Sequence, residues 1–457
     1  MTLSPQKQQT GTFGIVGLGC SGVAAVQFLA QRGYEVLAWD QDSNKGQELT
    51  QLAKVVIDHS PNPALALKKC DVILLSPGIP RYHPCLQQAI AAEVPVINDV
   101  EWLYRHCQLE KNPANFIAIT GTNGKSTVTT LVGLMLEKAN FNTQTGGNLG
   151  QAALSLWSDK AEKYVLELSS FQLESLPEFH PQIAALLNIS PDHLDRYQDL
   201  NDYLATKLQI FKNQTSSDHA ILNGDDPVVL AAYKKFAKKN QPLVTIFSTK
   251  KVIKGGLYIK DGELIDHTGS EAKPLLSCDQ LKITGVHNHG NALAAAAIAL
   301  AAGAGREAVV ETLKTFPGLP HRMEWIKTVA GVEYYNDSKG TNVGAVLQSL
   351  ASFPQQKLVL IAGGRDKNSD FTHLIAPLKS HVANLILIGE AANDMAQILK
   401  GCTHIEHAQS MELAVKKAQQ LAKPGQIVLL SPACTSFDMF KNFEDRGNIF
   451  RKAVNEL

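Results

Sequence analysis

Short apolar runs alternate along this chain with stretches whose apolar positions recur every three or four residues. The first pattern predicts buried strands and the second helices packed on one face, so the chain reads as α/β with largely parallel sheets. Segments 13–16, 35–39, 54–57, 72–75 and 95–97 are expected strands, with helices over 23–32 and 84–92 among the connections. That alternation is Rossmann-like. An Asn112-Pro113 pair ends it. A second unit starts with the β-branched run 115–120 and a helix over 128–139, then strands over 164–168 and 183–188 and a helix over 200–213. Next come β-like segments over 256–266, turning at Asp261-Gly262, and an alanine-rich helix opened by His287-Asn288-His289-Gly290-Asn291 and reaching about residue 302. From Phe316-Pro317-Gly318 onward, strands over 332–335, 358–362, 385–388 and 427–430 again alternate with helices. Three domains are therefore expected, over 1–112, 113–315 and 316–457.

Composition narrows the classes. A chain of 457 residues exceeds what one core usually supports, which agrees with several domains. Its 43 Lys+Arg balance 43 Asp+Glu and no basic tract stands out, so neither nucleic acid nor an anionic membrane is indicated as a partner. The seven cysteines are scattered and never form a C-x-x-C pair, which argues against a disulfide framework or a zinc site and points to a reducing cytoplasm. No apolar run reaches the roughly 18 to 20 residues of a membrane helix.

The sharpest chemical signal is the turn after 115–120, Gly121-Thr122-Asn123-Gly124-Lys125-Ser126-Thr127. Two glycines let the backbone aim N–H groups inward at a new helix N-terminus, a nest for phosphate oxygens. Lys125 would reach the terminal phosphates of a nucleoside triphosphate and Ser126 would supply a hydroxyl to Mg²⁺. The usual G-x-x-x-x-G-K-[ST] pattern fails only at its first glycine, where Ile119 stands. The first unit carries a full G-x-G-x-x-G, residues 17–22, with Asp40 closing the next expected strand. Alone this pattern says NAD, or more weakly a diphosphate at a helix N-terminus; glycines needed only for close helix–strand packing are the bland alternative. Ser76-Pro77-Gly78 follows another strand end, where such sheets bind ligands or simply turn.

Glu167 and His193 stand at strand ends of the phosphate-loop unit and would suit a metal shell, or else a solvated loop and a helix cap. Lys207, by helical spacing, is a surface lysine. In the third unit Asp337, Lys339 and Thr341 follow one strand, Arg365-Asp366-Lys367 a second, and residues 431–436 a third. That convergence is where α/β folds build sites.

Taken together, the motifs resemble the Mur ligase family. The carriers are Thr-Gly-Thr-Asn-Gly-Lys-Ser-Thr at 120–127, Leu-Glu-Leu-Ser-Ser-Phe-Gln-Leu-Glu at 166–174 and Asp-His-Leu-Asp-Arg-Tyr at 192–197. To these are added His321-Arg322, Asn-Asp-Ser-Lys at 336–339, Ser-Pro-Ala-Cys-Thr-Ser-Phe-Asp at 431–438, Lys441-Asn442-Phe443 and Arg446-Gly447. The first and third also recur in folylpolyglutamate synthases. The second and the last group are similar to the D-glutamate-adding branch, and the Asp-Asn-Pro-Arg motif of the diaminopimelate- or lysine-adding branch is absent.

The resemblance implies a Rossmann-like domain for a UDP-sugar, a central ATPase domain and a C-terminal Rossmann-like domain for the incoming amino acid. It implies ATP-driven peptide-bond formation through an acyl phosphate, by a cytoplasmic monomer acting on small molecules. It moves the G-x-G-x-x-G loop from NAD to UDP. Two magnesium sites are implied, with Ser126 and Glu167 matching ligands of one and His193 a ligand of the other. Lys207 matches a position that reacts with CO₂ to become a carbamate, a metal-facing group, which displaces the surface reading. Asn291, Arg322, Asp337 and Lys339 match nucleotide contacts. Ser21, Asp40 and Ser76 fall in the UDP region, Asn148 and His193 near the muramoyl-peptide end, and Thr341, Lys367, Ser436 and Phe443 at the D-glutamate contacts. Two departures are visible: Gln41-Asp42 stand where some relatives have threonine and a basic residue, and Arg365 replaces an acid.

Overall fold

The computed structural model describes residues 11–193, 196–237, 241–283 and 285–457. Three sheets follow one another along the chain. The first contains β1 (Thr12–Val16), β2 (Glu35–Trp39), β3 (Val55–Asp58), β4 (Val72–Leu75) and β5 (Val96–Ile97), all parallel in the order β3-β2-β1-β4-β5. The chain leaves β1 toward one edge and returns to β4 on the other side, so the carboxyl ends of β1 and β4 form the switch point at which such sheets bind ligands.

The second sheet has nine strands: β6 (Asn115–Thr120), β7 (Thr143–Gly147), β8 (Lys163–Glu167), β9 (Ile183–Leu186), β10 (His219–Asn223), β11 (Leu243–Ser248), β12 (Leu257–Lys260), β13 (Glu263–Asp266) and β14 (Lys273–Ser277). Its order is β14-β13-β12-β11-β10-β9-β6-β8-β7. β6, which feeds the phosphate loop, lies between β8 and β9, so Glu167 and the segment after β9 emerge on either side of that loop. The third sheet joins β15 (Glu324–Val329), β16 (Val332–Asn336), β17 (Leu358–Gly363), β18 (Val382–Ile388), β19 (His404–His407) and β20 (Ile427–Leu430) in the order β15-β16-β20-β17-β18-β19, parallel except for the β15/β16 hairpin.

The first two sheets share one core. The helix Asp99–Leu109 passes between them, with Trp102 edge-on to Phe13 at 4.7 Å and Tyr104 edge-on to Phe116 at 5.5 Å. Asn98 donates from Nδ2 to the Gln172 carbonyl at 2.6 Å, and buried Glu101 accepts from the Phe179 amide at 2.9 Å and from Arg105 Nε at 2.8 Å. The helix Lys125–Lys138 and the alanine-rich helix Val286–Ala301 pack together over the other face of the central sheet, where small side chains permit close approach. The third sheet carries separate cores on its two faces.

The apolar runs became strands as expected. No strand is expected from the sequence at β7, β10, β11, β14, β15 or β19; β7, β14, β15 and β19 are edge strands, whereas β10 and β11 lie inside the central sheet. β7 reads Thr-Gln-Thr-Gly-Gly. An edge strand buries less than a central one and tolerates such polar sequence, so periodicity does not announce it. The helix expected over 200–213 ends as Leu200–Leu208 and tightens into a 3₁₀ turn over Gln209–Phe211.

Candidate active site

β6 delivers the chain into the glycine turn at the N-terminus of Lys125–Lys138. Gly124 has φ +83°, and a Cβ there would run into the Asn291 amide oxygen, so both backbone conformation and close approach demand glycine. The turn is pinned to the segment after β9: Asn188 Oδ1 accepts from the Asn123 amide at 2.8 Å, Asn188 Nδ2 donates to the Asn123 carbonyl at 2.9 Å, and the Thr122 amide donates to the Asn188 carbonyl at 3.0 Å. Lys125 folds back on the loop, its Nζ donating to the carbonyls of Gly121 and Thr122 at 2.9 and 2.8 Å. Ser126 and Thr127 are buried in the helix's first turn.

Glu167, at the end of β8, is 2% exposed. Its Oε1 accepts from Asn148 Nδ2 at 2.7 Å, whereas Oε2 is sealed from solvent and makes no hydrogen bond among the described residues. Burial would raise this carboxyl, but the Lys125 ammonium, helped by Ser126 and Arg322, outweighs it and holds the group below the ordinary range. An ionised, buried oxygen left without a donor beside a serine hydroxyl and a phosphate nest suits a hard cation. Among the described residues no three His, Cys, Asp or Glu side chains gather for a metal, so magnesium held by Ser126 and Glu167 would complete its shell with phosphate and water oxygens.

His193 has φ +54° and its ring lies edge-on to Phe171 at 4.8 Å. Its neighbour Asp192 crosses to the third domain: Oδ1 pairs with Lys367 Nζ at 3.3 Å and Oδ2 accepts from Asn342 Nδ2 at 3.0 Å. Burial opposes ionisation of Asp192, but Lys367 and His193 prevail and lower its pKa.

Lys207 is 1% exposed, contrary to the surface position that its helical spacing suggests. The helix Leu200–Leu208 turns it inward, where Nζ donates to the Gly121 carbonyl at 2.9 Å and to Thr120 Oγ1 at 3.3 Å, and lies 4.7 Å from the centre of the Tyr203 ring. Burial first, then the Lys125 charge, push its pKa well below that of an ordinary lysine.

From the third domain, Arg322 Nη2 donates to the Ser126 hydroxyl at 2.6 Å. Asp337 accepts from Ser349 Oγ at 2.7 Å and Ser431 Oγ at 2.9 Å, and burial pushes it up to about 6. Burial pushes Lys339 down to about 8, and its ammonium lies 3.6 Å from the centre of the Phe443 ring. Between the central and third domains runs a cleft of about 370 Å³ lined by Asn123, Gly124, Thr127, Asn291, Arg322, Asp337 and Lys339. The nucleotide-contact residues expected from opposite ends of the sequence thus meet in one space.

Residues 12–98 match the family model of the Mur ligase MurD-like N-terminal domain, 119–299 that of the Mur ligase middle domain and 321–434 that of the Mur ligase glutamate ligase domain. A UDP-N-acetylmuramoylalanine--D-glutamate ligase of Geotalea uraniireducens is 41% identical over 449 residues, covering 97% of each chain. One from Trichlorobacter lovleyi is 40% identical over 452 residues, covering 97% of this chain and 98% of its own. The chain belongs to the Mur ligase family. A solved pseudomurein peptide ligase type C of Methanothermus fervidus shares the fold with TM-score 0.62 at 18% identity, covering 98% of this chain and 99% of that one.

Within this Mur ligase the three polar residues expected in the UDP region gather around the first glycine turn. Asp40 accepts from the Leu18 amide at 2.7 Å, the Asp42 amide at 2.9 Å and Lys45 Nζ at 3.3 Å, so its carboxylate ties the end of β2 to the turn. Ser76 Oγ donates to the Gly17 carbonyl at 2.7 Å. A Cβ at Gly22 would collide with that same carbonyl, so the last glycine of the fingerprint serves packing. Arg365, one of the two departures, pairs with exposed Glu390 through two 2.9 Å contacts.

The residues expected at the D-glutamate contacts sit on three loops, after β16, β17 and β20, and at the start of the helix Phe443–Asn455. Two of these loops are joined by Arg446, fully buried, whose Nη1 reaches the Cys434 and Thr435 carbonyls at 3.1 and 3.2 Å and whose Nη2 and Nε reach the Ser338 carbonyl and hydroxyl at 2.8 and 3.0 Å. It therefore braces the loop bearing Lys339 and Thr341 against the loop bearing Ser436. Sequence reasoning gave no role to Asp192, Asn188, Asn342 or Arg446. Asp192 and Arg446 stood inside quoted motifs; for Asn188 and Asn342 only the position after a strand was a signal.

Proposed function

We propose that this chain is a cytoplasmic, monomeric ligase that joins D-glutamate to UDP-N-acetylmuramoyl-L-alanine at the expense of ATP, in peptidoglycan precursor synthesis. The observation that carries the reading is 41% identity, over 97% of both chains, to a relative named for that reaction. The three functional units are taken as 1–112 for the UDP-sugar, 113–315 for ATP and 316–457 for the amino acid.

In this reading the loop amides of 121–127 and Lys125 hold the triphosphate, with Asn291, Arg322, Asp337 and Lys339 closing the cleft on the nucleotide. Magnesium at Ser126 and Glu167, and a second ion at His193 and a carbamylated Lys207, would neutralise charge as one anion approaches another. The muramoyl-alanine carboxylate, steered by Asn148 and His193, attacks the γ-phosphorus; the P–O bond to ADP breaks and an acyl phosphate forms. The D-glutamate amine then attacks the acyl carbon, loses a proton, and inorganic phosphate departs. Thr341, Lys367, Ser436 and Phe443 orient D-glutamate, and Ser21, Asp40 and Ser76 shape the UDP end. A buried lysine of depressed pKa gives up its proton more readily, and the neutral amine is the form that takes up CO₂, which supports the carbamate at Lys207.

The test is phosphate release from MgATP with UDP-N-acetylmuramoyl-L-alanine present and D-glutamate, L-glutamate, L-alanine or meso-diaminopimelate added separately, with mass spectrometry of the product. Release that depends on D-glutamate, with a product heavier by one glutamyl unit, is expected. Release indifferent to the amine, or specific to another one, would overturn the assignment.

A further inference from the structure

Asp99 is the first residue of the helix that bridges the first two sheets, and it is 3% exposed. Its Oδ2 accepts from the Ala153 amide of the central domain at 3.3 Å. Its Oδ1 is sealed from solvent and has no hydrogen-bond partner among the described residues. Buried polar oxygens are nearly always satisfied, so one left over at a ligand-binding switch point calls for a functional reason.

The surroundings supply it. Asp99 lines a cavity of about 10 Å³ together with Ser21, Gly22 and Ser76, under the glycine turn at the carboxyl ends of β1 and β4. That space has room for about one water, and two hydroxyls with a carboxyl are the two to four polar partners a buried water requires. Burial raises the Asp99 carboxyl, against the pull of the Ala153 amide. A carboxyl disposed to keep its proton can meet a hydroxyl as donor or acceptor without placing a full negative charge under an anion-binding turn.

We infer that Asp99 is a positioning residue for the UDP-sugar: through the Ser21 hydroxyl it sets the first turn of the helix Cys20–Gln31 against the diphosphate, and through Ala153 it ties that turn to the central domain. It does not touch the reacting atoms. The inference rests on the reading of the first glycine turn as the UDP site.

The experiment uses the full chain with UDP as calorimetric probe, followed by steady-state kinetics of Asp99→Ala, Asp99→Asn, Ser21→Ala and the Asp99→Ala/Ser21→Ala double variant. Wild type should bind UDP. Asp99→Ala should weaken UDP and raise the KM for the UDP-sugar about tenfold, with KM for ATP and D-glutamate within about twofold. Asp99→Asn, which keeps an oxygen and a donor, should recover most of the loss, and the double variant should be no worse than Ser21→Ala. Failure of wild type to bind UDP would sink the underlying reading. UDP binding by wild type together with unchanged UDP affinity in Asp99→Asn and Asp99→Ala, or losses that add to those of Ser21→Ala, or all three KM values rising in step, would overturn the role of Asp99. If Asp99→Ala does not fold, the Asp99→Asn and Ser21→Ala pair decides: a UDP affinity for Asp99→Asn between wild type and Ser21→Ala supports the inference, and one below Ser21→Ala overturns it.

Discussion

Arg322 and Ser126, 196 residues apart, are joined by a 2.6 Å hydrogen bond that bridges the third domain and the first turn of the phosphate-loop helix. Lys367 and Asn342 make the same crossing to Asp192. These crossings are polar and lie at the chemistry, whereas the first and central sheets are joined through a shared aromatic core. Polar side-chain contacts open far more easily than a continuous apolar core, so a separation of domains is expected between the third domain and the other two rather than between the first two.

Arg322→Ala removes both the crossing and a cation aimed at the nucleotide cleft. The expected result is a raised KM for ATP and a kcat lower by about 10²–10³, the usual effect of losing one charge-stabilising donor. Arg322→Lys should recover only part, because a point charge does not reproduce the guanidinium fork. Steady-state kinetics at varied MgATP checks both.

Arg446 makes four hydrogen bonds to Ser338, Cys434 and Thr435 and is fully buried. Arg446→Ala strands the Cys434 and Ser338 carbonyls, while that of Thr435 keeps the Arg365 amide; each stranded group costs about 1–3 kcal/mol, so destabilisation of about 2–6 kcal/mol is expected. Urea unfolding measures it. Activity surviving in the folded fraction should show the KM for D-glutamate rising more than that for ATP.

The strands and the phosphate loop were legible because their signals are local. A β-branched run, two glycines and Lys-Ser-Thr name a strand, a nest and a helix start within a dozen residues or so. Lys207 was not legible: periodicity places it on a helix but cannot say that this face packs on the loop carbonyl of Gly121. The role of Asp192 is not legible locally because its partners, Asn342 and Lys367, lie 150 and 175 residues away. The family resemblance supplied what spacing could not for Lys207, and the geometry supplied the braces at Asn188 and Arg446 that neither had named.

Lys207, buried and shifted well down in pKa, should take up labelled CO₂ from bicarbonate. A carbamate resonance in wild type, absent from Lys207→Arg, is the expected carbon nuclear magnetic resonance result, with Lys207→Arg slower by about 10²-fold or more. Because only the neutral amine reacts, the resonance should fade as pH falls through the depressed pKa.

Asp337 ties pH to stability. Its carboxyl, pushed up to about 6 in the folded chain from an ordinary value of 3.8, binds its proton more tightly when folded. The associated stability is fully present below the unfolded value and is lost as pH rises from about 4 through about 6, a difference of about 3 kcal/mol. Asp337→Asn should remove that slope in denaturant titrations from pH 4 to 8 and be more stable than wild type at pH 8, while turning over ATP more slowly.

The most direct test of the account is to place heavy oxygen in the alanyl carboxylate of UDP-N-acetylmuramoyl-L-alanine and follow it into inorganic phosphate. Acyl-phosphate chemistry with D-glutamate as nucleophile predicts one labelled oxygen per phosphate released, with release dependent on D-glutamate. Unlabelled phosphate, or labelled phosphate formed equally with every amine, would contradict it.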